Sequence, residues 1–245
     1  MGEHAKYGSL VKYPSLLTVI GLIWAGPVDA CRLALVLAID VSSSVDASED
    51  QLQRAGLASA LLDPDVEAAF FISSDPVAVY VFEWSGRYNQ QVLVDWTVVD
   101  TPSALFDVAQ DIATSERLHN DFPTAMGYAL GYAATELTRA PNCLTQTIDM
   151  VGDGVNNDGF GPIDAYSAFP FDGVTVNGLV VNGADFEGET DLIPFFRNQV
   201  IRGPGAFVEI ANGFDDYAAA MRRKLLRELT AMIIGASPQT RLPKG

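Results

Sequence analysis

Leu33-Ala34-Leu35-Val36-Leu37-Ala38-Ile39 is an unbroken apolar run, and it leads into Asp40-Val41-Ser42-Ser43-Ser44. A short run of this kind is typical of a strand that is buried on both faces of a sheet. The carboxylate and the two hydroxyls that follow at alternate positions are hard oxygen donors, which are the ligands that Mg²⁺ prefers. The stretch therefore predicts a buried strand with a candidate cation site at its carboxyl end.

Segments with helical and strand-like patterns alternate after this first strand. Helices are predicted over residues 48–62, 102–115, 124–138, 162–169, 191–201 and 214–234, and strands over 77–84, 91–99, 147–151, 174–181 and 206–211. Ser48 and Gln51 have the spacing of a capping box. Helical crossovers imply a mostly parallel sheet with helices on both faces, whereas the short turn at 85–90 makes its two strands antiparallel. We therefore predict an α/β fold, Rossmann-like and doubly wound, with a mostly parallel six-stranded sheet and one antiparallel edge strand.

Composition and charge limit the classes of partner. The chain has 245 residues, of which 49% are hydrophobic, so it can bury one large core. The formal net charge of −16 falls entirely after residue 30, because two lysines balance two acids before it. So acidic a protein is a poor match for nucleic acid or an anionic membrane. The basic residues 222–224 and 227 follow the acids at 215–216, which favours complementing a helix dipole over forming a docking patch.

The first thirty residues have the pattern of a secretory signal peptide. Lys6 and Lys12 precede an apolar segment at 16–25, and residues 28–30 offer an exit with small residues at both ends. The apolar segment is shorter than the roughly 20 residues of a membrane-spanning helix. We expect cleavage after residue 30, a secreted or periplasmic protein, and no membrane insertion of the mature chain; an uncleaved anchor is the alternative. The chain thus divides into a signal peptide (1–30), one domain (31–235) and a C-terminal tail (236–245).

The two cysteines are positioned to pair. Secretion would place them in an oxidising compartment. Cys31 lies nine residues before Asp40 and Cys143 ten before Asp153, so each precedes a candidate strand by a similar lead. If those strands are parallel neighbours, their starting ends are adjacent, and we expect a Cys31–Cys143 disulfide. Two unpaired buried thiols, or a lipid anchor on Cys31, are the alternatives.

Acidic residues from distant parts of the chain are predicted to meet at one crevice. Ligands of such sheets bind outside the carboxyl ends of the strands, where Asp40 and Asp153 both lie. Asp40-x-Ser42-x-Ser44, a later Thr124 at a helix start and Asp153 resemble the metal-ion-dependent adhesion site of von Willebrand factor type A domains. The resemblance covers residues 33 to about 232, in the family's order and roughly its spacing. Four segments resemble, more narrowly, an uncharacterised bacterial family of secreted proteins: 33–46, 149–157, 203–208 and 222–228.

The resemblance implies a secreted, non-enzymatic module that binds a protein partner through a divalent cation. Ser42 and Ser44 would bind Mg²⁺ or Mn²⁺ directly, while Asp40 and Asp153 would contact the ion directly or through water. Thr124 would join them in the ligand-bound form. An Asp or Glu carboxylate of the partner would complete the site. Because the site offers only two carboxylates and its other ligands are neutral, the ion's positive charge would not be over-compensated, and the ion could still attract this third one.

Each of these residues also has a local structural explanation. The serines after Asp40 can cap the next helix, Thr124 can be an N-cap after Pro123, and Asp153 can belong to a turn. Asp46 is expected to cap the helix that follows it, and a contribution to an adjacent second cation site is the alternative.

Residues beside the proposed site have both structural and binding explanations. We expect Trp84 to complete the core and Glu83 to be solvated, and a partner-facing rim that includes Tyr88 is the alternative. Residues 156–159 are predicted to form a turn that borders the site.

Phosphoryl transfer is the enzymatic alternative. The stretch around Asp153 is similar to the acidic Mg²⁺ motif of haloacid-dehalogenase-like phosphatases, in which Asp40 would be the nucleophile. Ser42 stands where that family usually has its acid/base aspartate. No lysine lies between residues 12 and 224, so an arginine would have to replace the lysine that binds the phosphate. A serine hydrolase is a poorer fit, because the chain has no G-x-S-x-G elbow and His119 is the only histidine after residue 30.

Overall fold

Strands and helices alternate along the part of the chain that this computed structural model describes, which is residues 1–2, 31–183 and 191–235. The strands are β1 (Cys31–Asp40), β2 (Val77–Ser85), β3 (Asn89–Val99), β4 (Cys143–Gly152), β5 (Val174–Val181) and β6 (Val208–Ala211). The α-helices are α1 (Ala47–Leu61), α2 (Pro64–Phe70), α3 (Pro102–Thr114), α4 (Met126–Leu137), α5 (Pro162–Ala168), α6 (Leu192–Phe195) and α7 (Tyr217–Gly235). A π-helical turn spans Phe196–Val200, and a 3-10 turn spans Phe214–Asp216.

The predicted signal peptide, apart from residues 1–2, and the predicted C-terminal tail lie outside the described residues. Within the ranges 31–183 and 191–235, no helix combines the length and the apolar character needed to cross a membrane.

The sheet confirms the predicted topology. Its strand order is β3-β2-β1-β4-β5-β6, with β3 antiparallel to β2 at one edge and the other neighbouring pairs parallel. All ten residues of β1 are buried, as the apolar run 33–39 predicts. From β1 the chain winds outward first through β2 and then, in the opposite direction, through β4. The carboxyl end of β1 therefore lies at the switch point where ligands of such sheets bind.

Alternate side chains of β1 enter two hydrophobic cores. The larger side chains at the odd positions of 33–39 cluster with residues of α1, α3 and α7 on one face of the sheet. The smaller ones at positions 34, 36 and 38 cluster with α4 on the other face. Each fully buried leucine contributes about 1.5–3 kcal/mol relative to an exposed one, so β1 is a rigid platform for the residues at its end.

The predicted Cys31–Cys143 disulfide is present. The two cysteines are register partners in the β1–β4 pair, with a Cα–Cα distance of 4.5 Å and a separation of 112 residues. β4 begins at Cys143, four residues before the predicted start of this strand. The bond therefore ties together the starts of the two strands whose other ends carry the candidate cation site.

The N-terminal cap of α1 differs from the one that the sequence pattern predicts. The N-cap of α1 is Asp46, whose side chain accepts hydrogen bonds from the backbone N–H groups of Ser48 and Glu49. Asp46 N donates in return to Glu49 Oε2 at 2.7 Å. The capping box is thus Asp46–Glu49, and the predicted box of Ser48 and Gln51 is wrong. The expectation that Asp46 acts as a cap is confirmed.

Three other predicted helices also differ in extent from the observed elements. The helix predicted from residue 124 begins at Met126, and the one predicted over 191–201 divides into α6 and the π-helical turn. The one predicted from residue 214 opens as the 3-10 turn and becomes α-helical at Tyr217. One residue of its basic group, Lys224, is fully buried against Asp149 and Glu228. Arg222 and Arg223 are partly exposed and pair with Asp63 and Glu209. Lys224 is therefore unavailable to a docking patch.

Candidate metal centre

The two predicted carboxylates come from neighbouring strands at the same edge of the sheet. Asp40 is the last residue of β1, and Asp153 directly follows Gly152, the last residue of β4. Because β1 and β4 are parallel neighbours, their carboxyl ends emerge together. The pairing of these strands therefore brings together two acids that lie far apart in the sequence.

The residues after Asp40 form a tight loop that turns its hydroxyls toward the same point. Ser42 N donates a 2.8 Å hydrogen bond to Asp40 Oδ1, and Val45 N donates a 3.0 Å bond to Ser42 O. The Ser42 and Ser44 hydroxyl oxygens lie 3.1 Å apart. We call residues 41–45 the metal loop. It presents two neutral oxygens beside a carboxylate.

Thr124 and Asp153 complete the cluster from other parts of the chain. Ser44 Oγ donates a 2.7 Å hydrogen bond to Asp153 Oδ1, and Thr124 Oγ1 donates to Ser42 Oγ at 3.2 Å. Thr124 is not the N-cap of α4, since the cap position is Ala125 and no side chain caps that helix. The structure thus gathers the five predicted residues in one place: Asp40, Ser42, Ser44, Thr124 and Asp153.

The Asp40 carboxyl group is the most unusual member of the cluster. It is 1% exposed, and its Oδ2 atom is buried without a hydrogen-bond partner. Burial raises its pKa well above the ordinary value, the negative charge of Asp153 raises it further, and the hydrogen bonds from Ser42 partly oppose this. A divalent cation beside Oδ2 would remove this cost, so the orphaned oxygen fits a metal ligand.

Two glycines keep the surroundings of the cluster open. A Cβ atom on Gly152 would lie 3.3 Å from Asp40 Oδ2, and one on Gly154 would lie 3.4 Å from Thr124 Oγ1 and 4.0 Å from Ser44 Oγ. Any larger side chain at position 154 would project further into this space. Their small size therefore leaves room beside the oxygens for an ion and a partner group.

The donor set suits a hard cation held in an open site. It consists of two carboxylates and three hydroxyls, without nitrogen or sulfur. In the part of the chain that the structure describes, no group of three or more His, Cys, Asp and Glu side chains is arranged to hold a metal ion. A site here would therefore depend on the serine and threonine hydroxyls as much as on the carboxylates. Four carboxylates would instead exceed the ion's charge of +2 and leave little attraction for a partner's carboxylate.

Two side chains outside the five candidate ligands, Gln53 and Asn157, hold the cluster in place. Gln53 Nε2 donates a 2.8 Å hydrogen bond to the carbonyl of Asp40. Asn157 Oδ1 accepts a 2.9 Å bond from Thr124 N, and Asn157 N donates to Thr124 O at 2.9 Å. The predicted turn at 156–159 is thus a direct support of Thr124. Gln53 gives no signal in the sequence, because a buried glutamine and an exposed one fit the same helical pattern.

Glu83 is not solvated, which corrects the expectation for the end of β2. It is 3% exposed and pairs with Arg54, which also pairs with Asp50 at 3.0 Å. Trp84 is fully buried, so its predicted place in the core is confirmed. Tyr88, by contrast, is 84% exposed in the turn after β2. Of these side chains, only Tyr88 is available to a partner.

A family-level comparison covers most of the chain. The model of one protein family, described as "Protein of unknown function (DUF1194)", matches residues 30–233. No curated protein matches the sequence.

Solved structures with the same architecture include three of interest here. The pilus adhesin SpaC from Lactobacillus rhamnosus GG has a TM-score of 0.62 at 13% identity, over 82% of this chain and 31% of SpaC. A von Willebrand factor type A protein from Catenulispora acidiphila has a TM-score of 0.57 at 16% identity, over 81% of this chain and 43% of the other. Proximal thread matrix protein 1 of the mussel byssus was solved with a zinc-occupied MIDAS (metal-ion-dependent adhesion site) motif. It has a TM-score of 0.57 at 16% identity, over 82% of this chain and 49% of the mussel protein.

These similarities concern the fold. At such low identity they show that the chain has a von Willebrand factor type A-like fold, as its sheet order and helix placement also indicate. The chain spans from 31% to 49% of the lengths of those three proteins.

Proposed function

We propose that this chain, which belongs to the family described as "Protein of unknown function (DUF1194)", is a secreted protein-binding module that depends on a divalent cation. The ion would be Mg²⁺ or Mn²⁺, because the same oxygen ligands serve both. Its ligands would be Asp40, Ser42, Ser44, Thr124 and Asp153. The partner would be a protein that offers an Asp or Glu carboxylate.

The unpartnered Oδ2 atom of Asp40 is the observation that carries this proposal. A buried carboxylate oxygen without a hydrogen bond is costly unless a charge is bound beside it. The hydroxyls of Ser42, Ser44 and Thr124 lie next to one another at the end of the strand that carries Asp40, which supports an ion over a simple structural hydrogen bond. The zinc-occupied MIDAS motif of the mussel byssus protein supports a divalent cation in this fold.

Each residue of the cluster has a distinct part in binding. Asp40 is held in a fixed orientation by Ser42 N and would contribute the buried negative charge. Ser42 and Ser44 would contribute neutral oxygens, so that they add ligands without adding charge. Thr124, just before α4, and Asp153, just after β4, reach the cluster from other parts of the chain. When bound, the ion would supply a positive charge that the partner's carboxylate can coordinate.

The surroundings of the cluster favour binding over phosphoryl transfer. A phosphatase would need a basic side chain at the phosphate, and Lys224 is the only lysine between residues 31 and 235. It is fully buried in ion pairs with Asp149 and Glu228 and is thus unavailable to a substrate. Ser42 cannot replace the acid/base aspartate of such enzymes at neutral pH. The absence of catalytic turnover is part of the proposal.

A capture experiment with matched baits tests the proposed function. Wild type, Asp40→Asn and Asp46→Asn are immobilised and exposed to the secreted and periplasmic proteins of the producing cell in Mg²⁺ or in EDTA. Asp46→Asn makes the same chemical change at a nearby helix cap, where asparagine caps as well as aspartate. We expect a partner retained only in Mg²⁺ and only by wild type and Asp46→Asn. Failure of wild type to retain any metal-dependent partner would contradict the proposal.

A further inference from the structure

Arg117 makes an unusual set of contacts across the metal loop. It lies in the segment between α3 and α4, and its side chain is half-buried. Its Nη1 atom donates a 2.7 Å hydrogen bond to Val45 O, and its Nη2 atom donates to Val41 O at 2.7 Å and to Ser42 O at 2.9 Å. One guanidinium group therefore binds three of the five carbonyls of the metal loop.

This arrangement fixes the direction of the loop that carries Ser42 and Ser44. The guanidinium group is planar and always charged, and its bonds to carbonyl oxygens are stronger than bonds between neutral groups. Three such bonds from one rigid group fix the orientation of the peptide units at both ends of the loop. The two serine side chains leave the loop between these fixed points, so their directions depend on Arg117.

The segment that carries Arg117 also contacts the metal loop in a second way. Ser43 N donates a 2.8 Å hydrogen bond to Phe122 O, and Thr124 follows two residues later. The segment from Arg117 to Thr124 thus holds the metal loop at one end and supplies a candidate ligand at the other. A change in its position would move Thr124 relative to the two serines.

The residues directly after Arg117 border the surface that a partner would meet. Leu118 is 64% exposed, and Leu118 and His119 line depressions of about 420 and 530 Å³ on the two sides of the metal loop. Arg117 Nε donates a 2.6 Å hydrogen bond to His119 O, which fixes this turn. The same side chain therefore contacts the metal loop and the exposed turn next to it.

We infer that Arg117 is a positioning residue of the metal centre, and this inference rests on the proposed function. It does not bind the ion. It holds the carbonyls of the metal loop so that the hydroxyls of Ser42 and Ser44 stay beside Thr124 and Asp153, and it couples this loop to the Leu118–His119 turn. Metal binding would therefore order the exposed turn as well as the loop.

Metal affinity separates a positioning role from a purely structural one. We compare wild type, Arg117→Met, Arg117→Lys and the control Arg139→Met in Mg²⁺ titrations followed by calorimetry, and measure Tm in EDTA. Arg139 is an exposed arginine whose ion pairs, with Glu136 and Asp95, are remote from the loop. We expect affinity to fall at least about tenfold in Arg117→Met, the effect typical of residues that orient metal ligands. The Mg²⁺ affinity of Arg117→Lys should be intermediate, because an ammonium group does not reproduce the forked N–H donors of a guanidinium group.

Hydrogen exchange gives a second readout. In wild type, Mg²⁺ should protect amides of the metal loop and of residues 118–122, whereas in Arg117→Lys the second segment should gain little protection. If wild type binds Mg²⁺ and both Arg117 variants bind it as tightly as Arg139→Met, Arg117 is only a structural tie and the inference is overturned. If Arg117→Met does not fold, the comparison of Mg²⁺ affinity between Arg117→Lys and Arg139→Met decides alone. If wild type does not bind Mg²⁺, the proposed function fails and the inference fails with it.

Discussion

Ser44 Oγ donates a 2.7 Å hydrogen bond to Asp153 Oδ1, which joins two residues 109 positions apart in the sequence. Ser44 lies in the metal loop after β1, and Asp153 lies at the end of β4. The bond brings a hydroxyl and a carboxylate together at the edge of the sheet where Asp40, with its unpartnered Oδ2 atom, ends β1. A cation at this point would exchange a hydrogen bond between two ligands for a bond from each of them to the ion.

Replacing Asp40 by asparagine should remove both the destabilisation caused by the buried charge and the stabilisation caused by bound Mg²⁺. In EDTA, we expect Tm of Asp40→Asn to equal or exceed that of wild type, because burial and the nearby Asp153 disfavour the charged carboxyl. In wild type, Mg²⁺ at about 100 times Kd should add about 2.7 kcal/mol, or roughly 5–10 °C in Tm for a domain of this size. Asp40→Asn should lose this increase. Scanning calorimetry, with Asp46→Asn as control, measures Tm in EDTA and the increase in Tm caused by Mg²⁺. An increase in Asp40→Asn equal to that in wild type would argue against the site.

A larger side chain at Gly154 should obstruct the centre without unfolding the domain. The Cβ of Gly154→Val would lie 3.4 Å from Thr124 Oγ1, which is ordinary contact, and its methyl groups would enter the space beside Ser44. We expect Tm in EDTA to change little and Mg²⁺ affinity to fall at least tenfold. Gly161→Val is the control, because a Cβ there meets no atom within 4 Å. Unchanged Mg²⁺ binding by Gly154→Val would place the ion elsewhere.

The buried group around Glu228 should make stability depend on pH. Burial raises the pKa of Glu228 well above its ordinary value of 4.5, the charge of Asp149 raises it further, and Lys224 opposes this. Because the folded-state pKa is raised, the stabilising contribution of protonated Glu228 is complete below about pH 4.5 and is lost as pH rises through the raised value. Glu228→Gln keeps an oxygen to accept from Asn177 and stays neutral at every pH.

The free energy of unfolding of wild type, measured in urea and EDTA, should therefore fall relative to that of Glu228→Gln as pH rises above 4.5. Asp40 also has a raised pKa, but it is present in both proteins and cancels in their difference. A difference that stays constant from pH 4.5 to 9 would show that Glu228 does not titrate in this range.

Breaking the disulfide should destabilise the domain strongly. The bond closes a loop of 112 residues, and chain entropy alone predicts a loss of about 4–5 kcal/mol on its removal. Reduced wild type and the Cys31→Ala/Cys143→Ala variant should both melt roughly 10 °C or more below the oxidised protein. Reduction breaks the bond without changing side-chain volume, so it is the control for the two sulfur atoms that the double variant also removes. An equal Tm for oxidised and reduced protein would contradict a stabilising role for the bond.

The sheet could be predicted from the sequence because its signals are strong and local. The run Leu33–Ile39 is too apolar for anything but a buried element, and helices between strands leave few alternatives to parallel pairing. Asp40, Ser42 and Asp153 could be placed together for the same reason, since parallel strands deliver their carboxyl ends to one edge. Seven-residue α2 is too short to show a helical period, so it was not predictable in this way.

The supports of the metal loop and the buried charges could not be predicted from the sequence. Arg117 and Gln53 act through backbone carbonyls, which every residue possesses, so no spacing or residue type identifies their partners. Lys224 lies in a basic run that has the pattern of a solvated helix face. Only the packing of α7 on the sheet places it beside Asp149. The pairing of Glu83 is equally hidden, because Glu83 lies on β2 and its partner Arg54 lies on α1, 29 residues earlier in the sequence.

Calorimetric titration of the purified protein with Mg²⁺ tests the central claim most directly. Wild type is compared with Ser42→Ala/Ser44→Ala, which removes both loop hydroxyls and no charge, and with Ser43→Ala, which changes the exposed serine between them. We expect one ion per chain in wild type and Ser43→Ala, and no saturable binding in the double variant. Absence of binding in wild type, or equal binding by all three proteins, would contradict it.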